Sequence, residues 1–268
     1  MFTITPPYTG ELELGIALSG GRSVATRQYH TRALKVIRPH YLDDSGQVYY
    51  IVVNPGGGYV GGDSYRIDVD VAEGASVLLT DQSAAKVYRT PGNHVTQRVD
   101  FAVRGVLEYL PDPLILYRDA DFRQHVSASV ARGGSLFIAD IITPGWAPDG
   151  TLFGYRQARL RTEVTYAGQL AVVDNLLLTP GDRDFYLGDY THCGTAICVD
   201  AGVDEDLLAE IRALLDGNPA AVSAADCPGF VLRALGNRSE DVYGLILDVA
   251  SLVRARLRGQ GPVRLRQY

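Results

Sequence analysis

Cysteine is scarce here: Cys193, Cys198 and Cys227 are all there is in 268 residues. Three clustered thiols make no disulfide framework, and an odd count suits a reducing compartment. Any apolar run near the roughly 20 residues needed to cross a bilayer is also lacking. The opening MFTITPPYTGELELGIALSG has neither the basic start nor the continuous apolar core of a secretion signal. Positive charge is not in surplus either. The formal net charge is -6, so there is no general basic field to attract nucleic acid. Together these absences predict a cytoplasmic chain with no membrane or nucleic-acid partner. The largest basic concentration is Arg254, Arg256, Arg258, Arg264 and Arg266, where they suit the negative end of a helix dipole and a solvated tail.

With 46% apolar and 21% charged residues, the composition is that of a globular chain with a substantial core. Glu11–Leu18, Gln47–Val53, Tyr65–Val71 and Val95–Val103 alternate in polarity and are rich in β-branched and aromatic residues, which is the signature of strands. A slower rhythm lies beneath. Gly46, Gly74, Gly105, Gly133 and Gly168, separated by 28, 31, 28 and 35 residues, each precede a mostly apolar strand. A period near 30 predicts a layered, solenoid-like β stack. After residue 200 the period becomes helical. Asp204 is placed to cap a helix carrying Leu207, Leu208, Ile211, Leu214 and Leu215, and Gly217-Asn-Pro219 stops it. GFVLRAL then reads as a strand. Ser239 is placed to cap a second helix with Val242, Tyr243, Ile246, Val249, Ala250, Leu252 and Val253 inward, ending at Gly259. The expectation is one folded unit over 1–268: a β body to about 200, closed by an α-β-α segment.

The most unusual stretch is Asn54-Pro-Gly-Gly-Gly-Tyr-Val-Gly-Gly-Asp63, with five glycines in ten residues. It contains a Gly-x-Gly-x-x-Gly, but SYRIDVDV follows as a strand and no lysine follows the glycines. Without a helix N-terminus there is no row of free N–H groups for a phosphate, so the nucleotide reading fails. Two readings of Asp63 remain: a carboxylate that fixes the loop, or a hard ligand aimed into a cavity.

Four stretches carry a resemblance to a known family. They are NPGGGYVGGD (54–63), GASVLLTDQSAAKVYRTPG (74–92), LEYLPDPLILYRDADF (107–122) and FIADIITPGWAPDGTLFGY (137–155). In order and spacing the sequence resembles the urease accessory protein UreD family, also called UreH, over about 30–260. That resemblance implies a maturation factor and not an enzyme. It also implies an elongated, mostly β body of stacked strands with two helices and an internal water-filled passage for nickel. The partners it implies are apo-urease, UreF and, through UreF, the GTPase UreG, with a possible homodimeric assembly among the accessory proteins. No cofactor is expected to stay bound, nickel(II) being transient. Where many relatives carry Gln-Glu-Thr-Ile after a Leu-Pro pair, this chain has Asp112-Pro113-Leu114-Ile115, so the acid is displaced.

Nickel(II) accepts imidazole, thiolate and carboxylate ligands, and a site that passes it onward should hold it loosely. Asp63, Asp81, Asp140 and Asp174 are the candidate ligands. Asp140 and Asp174 interrupt apolar strands, where a charge is costly unless paired or hydrated. They either line a passage or pair with Lys86, Arg89 or Arg156. Lys86, Tyr88 and Arg89 are either partners for these acids or a docking surface. Trp146, in a Pro- and Gly-bracketed loop, either anchors a partner or plugs the core. Arg254 and Arg256, at the end of the second helix, form a candidate UreF-facing surface. The segment His192-Cys-Gly-Thr-Ala-Ile-Cys198 lacks a metal-site spacing. The enzyme alternative is a β-solenoid glycosidase with Asp140 and Asp174 as its acid and base.

Overall fold

Alternating strands bury one face each, and the turn glycines between them set how they stack. In the computed structural model, which describes residues 7–181 and 183–265, β1 (Gly10–Ser19) and β2 (Arg22–Arg32) form an antiparallel hairpin. The chain then crosses to a second sheet through β3 (Lys35–Val36) and β4 (Val48–Val53). From there it coils. β5 (Ser64–Val71), β8 (Val95–Val103), β11 (Asp121–Val130) and β13 (Gln157–Tyr166) are laid side by side in the first sheet, all parallel. Between them β6 (Ser76–Gln82), β9 (Val106–Tyr109) and β12 (Ser135–Ile142) join β4 in the second sheet, again parallel. Two short strands, β7 (Lys86–Val87) and β10 (Ile115–Leu116), pair at one corner of the coil.

The coil ends when β14 (Gln169–Leu178) folds back antiparallel on β13. A five-residue helix α1 (Arg183–Leu187) leads to β15 (His192–Val199). Then come α2 (Glu205–Leu215), β16 (Ala220–Ala224), β17 (Gly229–Gly236) and α3 (Ser239–Arg258). The first sheet has the order β14-β13-β11-β8-β5-β1-β2, the second β16-β17-β15-β12-β9-β6-β4-β3.

The expected layered stack is therefore what the chain forms. Gly46, Gly74, Gly105 and Gly133 stand just before β4, β6, β9 and β12, at the same corner of successive turns. At Gly105 the approach is so close that a Cβ would be driven into the carbonyl oxygens of Ala72 and Ala75, which only glycine permits. Gly168 is the exception, sitting at the tip of the β13–β14 hairpin with φ +83°. A third helix, α1, adds to the two expected; five residues are too few to show a helical period.

Two apolar layers result. Between the sheets lie Leu12, Leu14 and Ile16, Ile67, Val69 and Val71, Val77 and Leu79, and Val99 and Val103. On the far side of the second sheet, Tyr49, Ile51, Leu78, Phe137, Ile141 and Phe230 pack against α2 and α3. The second sheet is thus covered on both faces, and its strands read as nearly continuous apolar runs. The first sheet has a solvated outer face, so its strands alternate. Asp204 caps α2, accepting from the Leu207 N–H at 2.8 Å. Asp204→Ala should cost about 1 kcal/mol, read as a lower melting temperature. Ser239 is the first helical residue of α3 and not its cap, which is Arg238 without a side-chain bond. Gly259, at φ 61°, ends the helix in the left-handed conformation.

Arg254 corrects an expectation. It is 2% exposed and turned into the protein, where its Nε donates to both Glu108 carboxylate oxygens at 2.9 Å. Gln47 donates to Glu108 Oε2 at 2.9 Å and Arg258 to Oε1 at 2.6 Å. The i, i+4 spacing of Arg254 and Arg258 puts both cations on the helix face that meets β9. Arg254 therefore locks α3 onto the second sheet and is no partner surface. Arg256 does face outward, paired with Glu210 of α2. Arg266 lies outside the described residues.

Candidate functional site

Inward positions between the sheets are apolar except along one line. On β6 the inward side chains run Val77, Leu79, Asp81, and on β12 they run Leu136, Ile138, Asp140, Ile142. The neighbouring strands add Gln97, Gln124, Thr162, Asp174 and Thr195. Strand register brings these together: Gln97 lies beside Gln124, Thr162 beside Asp174, and Asp140 beside Thr195.

Three small cavities follow this line. The first, about 70 Å3, lies between the glycine loop at Gly57 and Gly58, Lys86, Gln97 and Asp81. The second, about 30 Å3, is bounded by Asp81, Gln97, Tyr109, Asp112, Gln124 and Asp140. The third, about 10 Å3, lies between Asp140, Thr162, Asp174, Cys193 and Thr195. Asp81 is shared by the first two and Asp140 by the last two. A site of about 10–15 Å3 holds one water, so these cavities range from a few waters down to one.

Burial sets the electrostatics of the first two acids. Asp81 Oδ1 is sealed from solvent without a hydrogen-bond partner among the described residues. Burial pushes its carboxyl up to about 7, with Asp112 and Asp140 adding repulsion. Burial likewise lifts Asp140 to about 7. Gln124, donating to its Oδ1 at 3.2 Å, partly opposes that rise; Asp174 adds to it and Arg233 subtracts. Asp112 is also raised by burial. Asp174 instead has a counter-ion, Arg233 of β17, which also donates to Thr195.

The structure thus brings Asp81, Asp140 and Asp174 into one row, and it adds Asp112. Asp63 is not in that row. Its carboxylate accepts from the Val60 N–H at 2.8 Å, the Tyr65 hydroxyl at 3.0 Å and the Thr9 hydroxyl at 3.2 Å, and it lines none of the three cavities. Two of the three cations expected to neutralise these acids are engaged elsewhere, Arg156 with Asp121 and Arg89 with Asp119, while Lys86 lines the first cavity with Asp81. Sequence reasoning missed Gln97, Gln124 and Thr162. Their signal was present, since each is a polar residue at an inward position of an otherwise apolar alternation.

The glycine loop is a packing device that flanks the first cavity. Tyr59 bridges the coil corner, donating its N–H to Lys86 O at 2.7 Å and accepting from the Tyr88 N–H at 2.8 Å. A Cβ on Gly58 would collide with the Tyr88 ring and Lys86 O. Tyr88, Tyr117 and Trp146 form an aromatic row with centroids 4.9 and 5.1 Å apart, which begins at the rim of this cavity because the Tyr88 hydroxyl donates to Gly57 O at 3.3 Å. Trp146 is half exposed and does not plug the core.

His192, Cys193 and Cys198 do not converge. Cys193 faces the inter-sheet layer and Cys198 the helix layer, because residues five apart on a strand point to opposite faces. Among the described residues no three His, Cys, Asp or Glu side chains gather closely enough to hold a metal. The cavity between Asp140 and Asp174 has no room for a sugar ring, which removes the geometric basis of the glycosidase alternative.

The fold and site define a class of protein by its architecture: a two-sheet β coil closed by helices, whose inter-sheet layer carries a line of water-sized polar cavities. The family model described as UreD urease accessory protein matches residues 8–267, and the chain belongs to that family. Over 97% of its length it is 46% identical to the urease accessory protein UreD of Arthrobacter sp. (strain FB24), covering 94% of that protein. It is also 46% identical to the Actinomyces naeslundii UreD, over 97% of this chain and 99% of that one. The Corynebacterium glutamicum (strain ATCC 13032) UreD is 44% identical over 99% of this chain and all of its own. The role of the chain accordingly lies in urease maturation. No described helix is long and apolar enough to cross a membrane.

Proposed function

We propose that this chain is a non-catalytic cytoplasmic scaffold that docks apo-urease and UreF. Through UreF it would receive nickel from the UreG GTPase and pass it toward the urease active site along the line of acids. The observation that carries this reading is that Asp81 and Asp140 each belong to two adjoining cavities. An ion handed along such a line meets a new carboxylate before leaving the last. Carboxylates hold nickel(II) more weakly than a closed thiolate or imidazole cage would, and water-sized spaces let the ion keep part of its hydration. Asp174, already neutralised by Arg233, marks the far end. Lys86 at the first cavity, Tyr88, Arg89 and Trp146 are proposed partner contacts, as is the exposed Arg256.

The test is co-expression with urease and the other maturation proteins, comparing wild type with Asp81→Ala and Asp140→Ala. Urease specific activity and nickel content should fall several-fold while the accessory complex still co-purifies. Full nickel loading by both variants would refute the conduit.

A further inference from the structure

Eleven large apolar side chains are exposed among the described residues. Six of them, Leu170, Val173, Leu177, Phe185, Tyr186 and Tyr190, fall in the single stretch 170–190. The first three lie on β14, which is the edge of the seven-stranded sheet. Edges expose unpaired backbone groups, and proteins usually guard them with charges, bulges or shortness. The other edges of this fold are so guarded. β2, at the opposite end of the same sheet, carries Arg22, Arg27 and Arg32 and faces a register shift at Gly15/Ile16. In the second sheet, β16 is five residues long and β3 only two.

β14 has none of these protections over most of its length. It is ten residues long and contains no proline, lysine or arginine. Its one charge, Asp174, is turned inward to Arg233 and the third cavity. A register shift at Val164/Thr165 affects only the hairpin end, leaving Val172–Leu178 regularly paired to β13. Beyond the strand, Leu187 is buried in the inter-sheet layer and anchors α1. The helix holds Phe185, 88% exposed, and Tyr186 outward with their rings in edge contact at 5.3 Å.

We propose that β14 is a strand-addition site. An extended segment of a partner protein pairs with its free edge along Val172–Leu178, and apolar side chains of that partner cover Val173, Leu177 and Phe185. The occupant's chemistry follows from the edge: an open row of backbone donors and acceptors is matched by another extended backbone, and the exposed Val173 and Leu177 by apolar side chains. Pairing there places the partner beside Asp174, at the far end of the line of acids. The inference rests on the maturation reading in one respect, namely that the partner is drawn from urease and its maturation proteins.

Hydrogen exchange of the full chain, alone and in its complex with co-expressed apo-urease and the other maturation proteins, tests it. Amides of Val172–Leu178 should become protected in the complex. Val173→Lys and Leu177→Lys, at exposed positions, should each weaken the complex by roughly tenfold or more while leaving the circular dichroism and melting of the isolated chain unchanged. A complex that forms normally with β14 unprotected and both variants silent overturns the strand-addition site and leaves the maturation role standing. No complex with any of these proteins overturns both. If light scattering shows that the chain alone dimerises and that Val173→Lys dissolves the dimer, the edge belongs to a second copy and the partner assignment fails.

Discussion

Arg254→Ala is expected to destabilise the protein by about 3–5 kcal/mol, the usual cost of removing one member of a buried ion pair. Glu108 and Arg254 are 1% and 2% exposed at their side chains, so no water can replace the lost guanidinium. Glu108 would keep Gln47 and the partly buried Arg258 as donors, which places the loss within that range and not beyond it. The consequence is local before it is global. Arg254 joins the last turns of α3 to β9, so the helix end should fray and expose Val253 and the β9 face. Urea unfolding followed by far-ultraviolet circular dichroism measures the loss. The double substitution Glu108→Leu with Arg254→Met should recover only part of it: an apolar pair of similar volume carries no desolvation cost, but Gln47 and Arg258 lose the acceptor they share. A single-variant loss below about 1 kcal/mol would show that the pair is solvated in solution.

Asp81→Asn combined with Asp140→Asn should stabilise the folded chain at pH 8, by on the order of 2 kcal/mol per site, and leave it nearly unchanged near pH 4. Both carboxyls have folded pKa values raised from 3.8 to about 7. Near and below pH 3.8 the folded and unfolded chains are both protonated there, so burial carries no charge penalty. Between 3.8 and about 7 the unfolded chain releases these protons while the folded chain keeps them, and the wild type loses stability as pH rises. Above about 7 the penalty is complete. Asparagine keeps the size of the side chain and removes the charge, so the gain should grow across that window. Denaturant midpoints from pH 4.5 to 8 measure it, and an equal gain at both ends would contradict the buried-charge account. A gain in stability combined with lost urease activation would mean that the acids are retained for function at a cost in stability.

Much of the architecture was legible along the chain. Glu11–Leu18, Gln47–Val53, Tyr65–Val71 and Val95–Val103 match β1, β4, β5 and β8 within one or two residues, because a half-buried strand writes its face into a period of two. Four of the five turn glycines mark one corner of the coil: Gly46 and Gly74 hold positive φ there, and at Gly46 and Gly105 close stacking excludes a Cβ. The helix cap at Asp204 and the terminator at Gly259 were equally readable, being local backbone chemistry. The sequence also singled out Asp140 and Asp174 as charges breaking apolar strands and Asp81 as a candidate ligand, and it carried the family's motifs. What it could not settle was who meets whom. Arg254 looked like one of a cluster of surface cations, yet its partner, Glu108, lies 146 residues away on another layer. Asp174 finds Arg233 across 59 residues, and Asp63 finds Thr9 across 54 as well as Val60 in its own loop.

By itself the sequence determined the layered β coil, its closing helices and the family, because turn geometry, polarity period and capping are set by residues close together in the chain. Only the tertiary structure decided which acids share cavities, which arginine is buried and which sheet edge is left open. Those outcomes depend on strand register and on the packing of one layer over another, which no local stretch encodes.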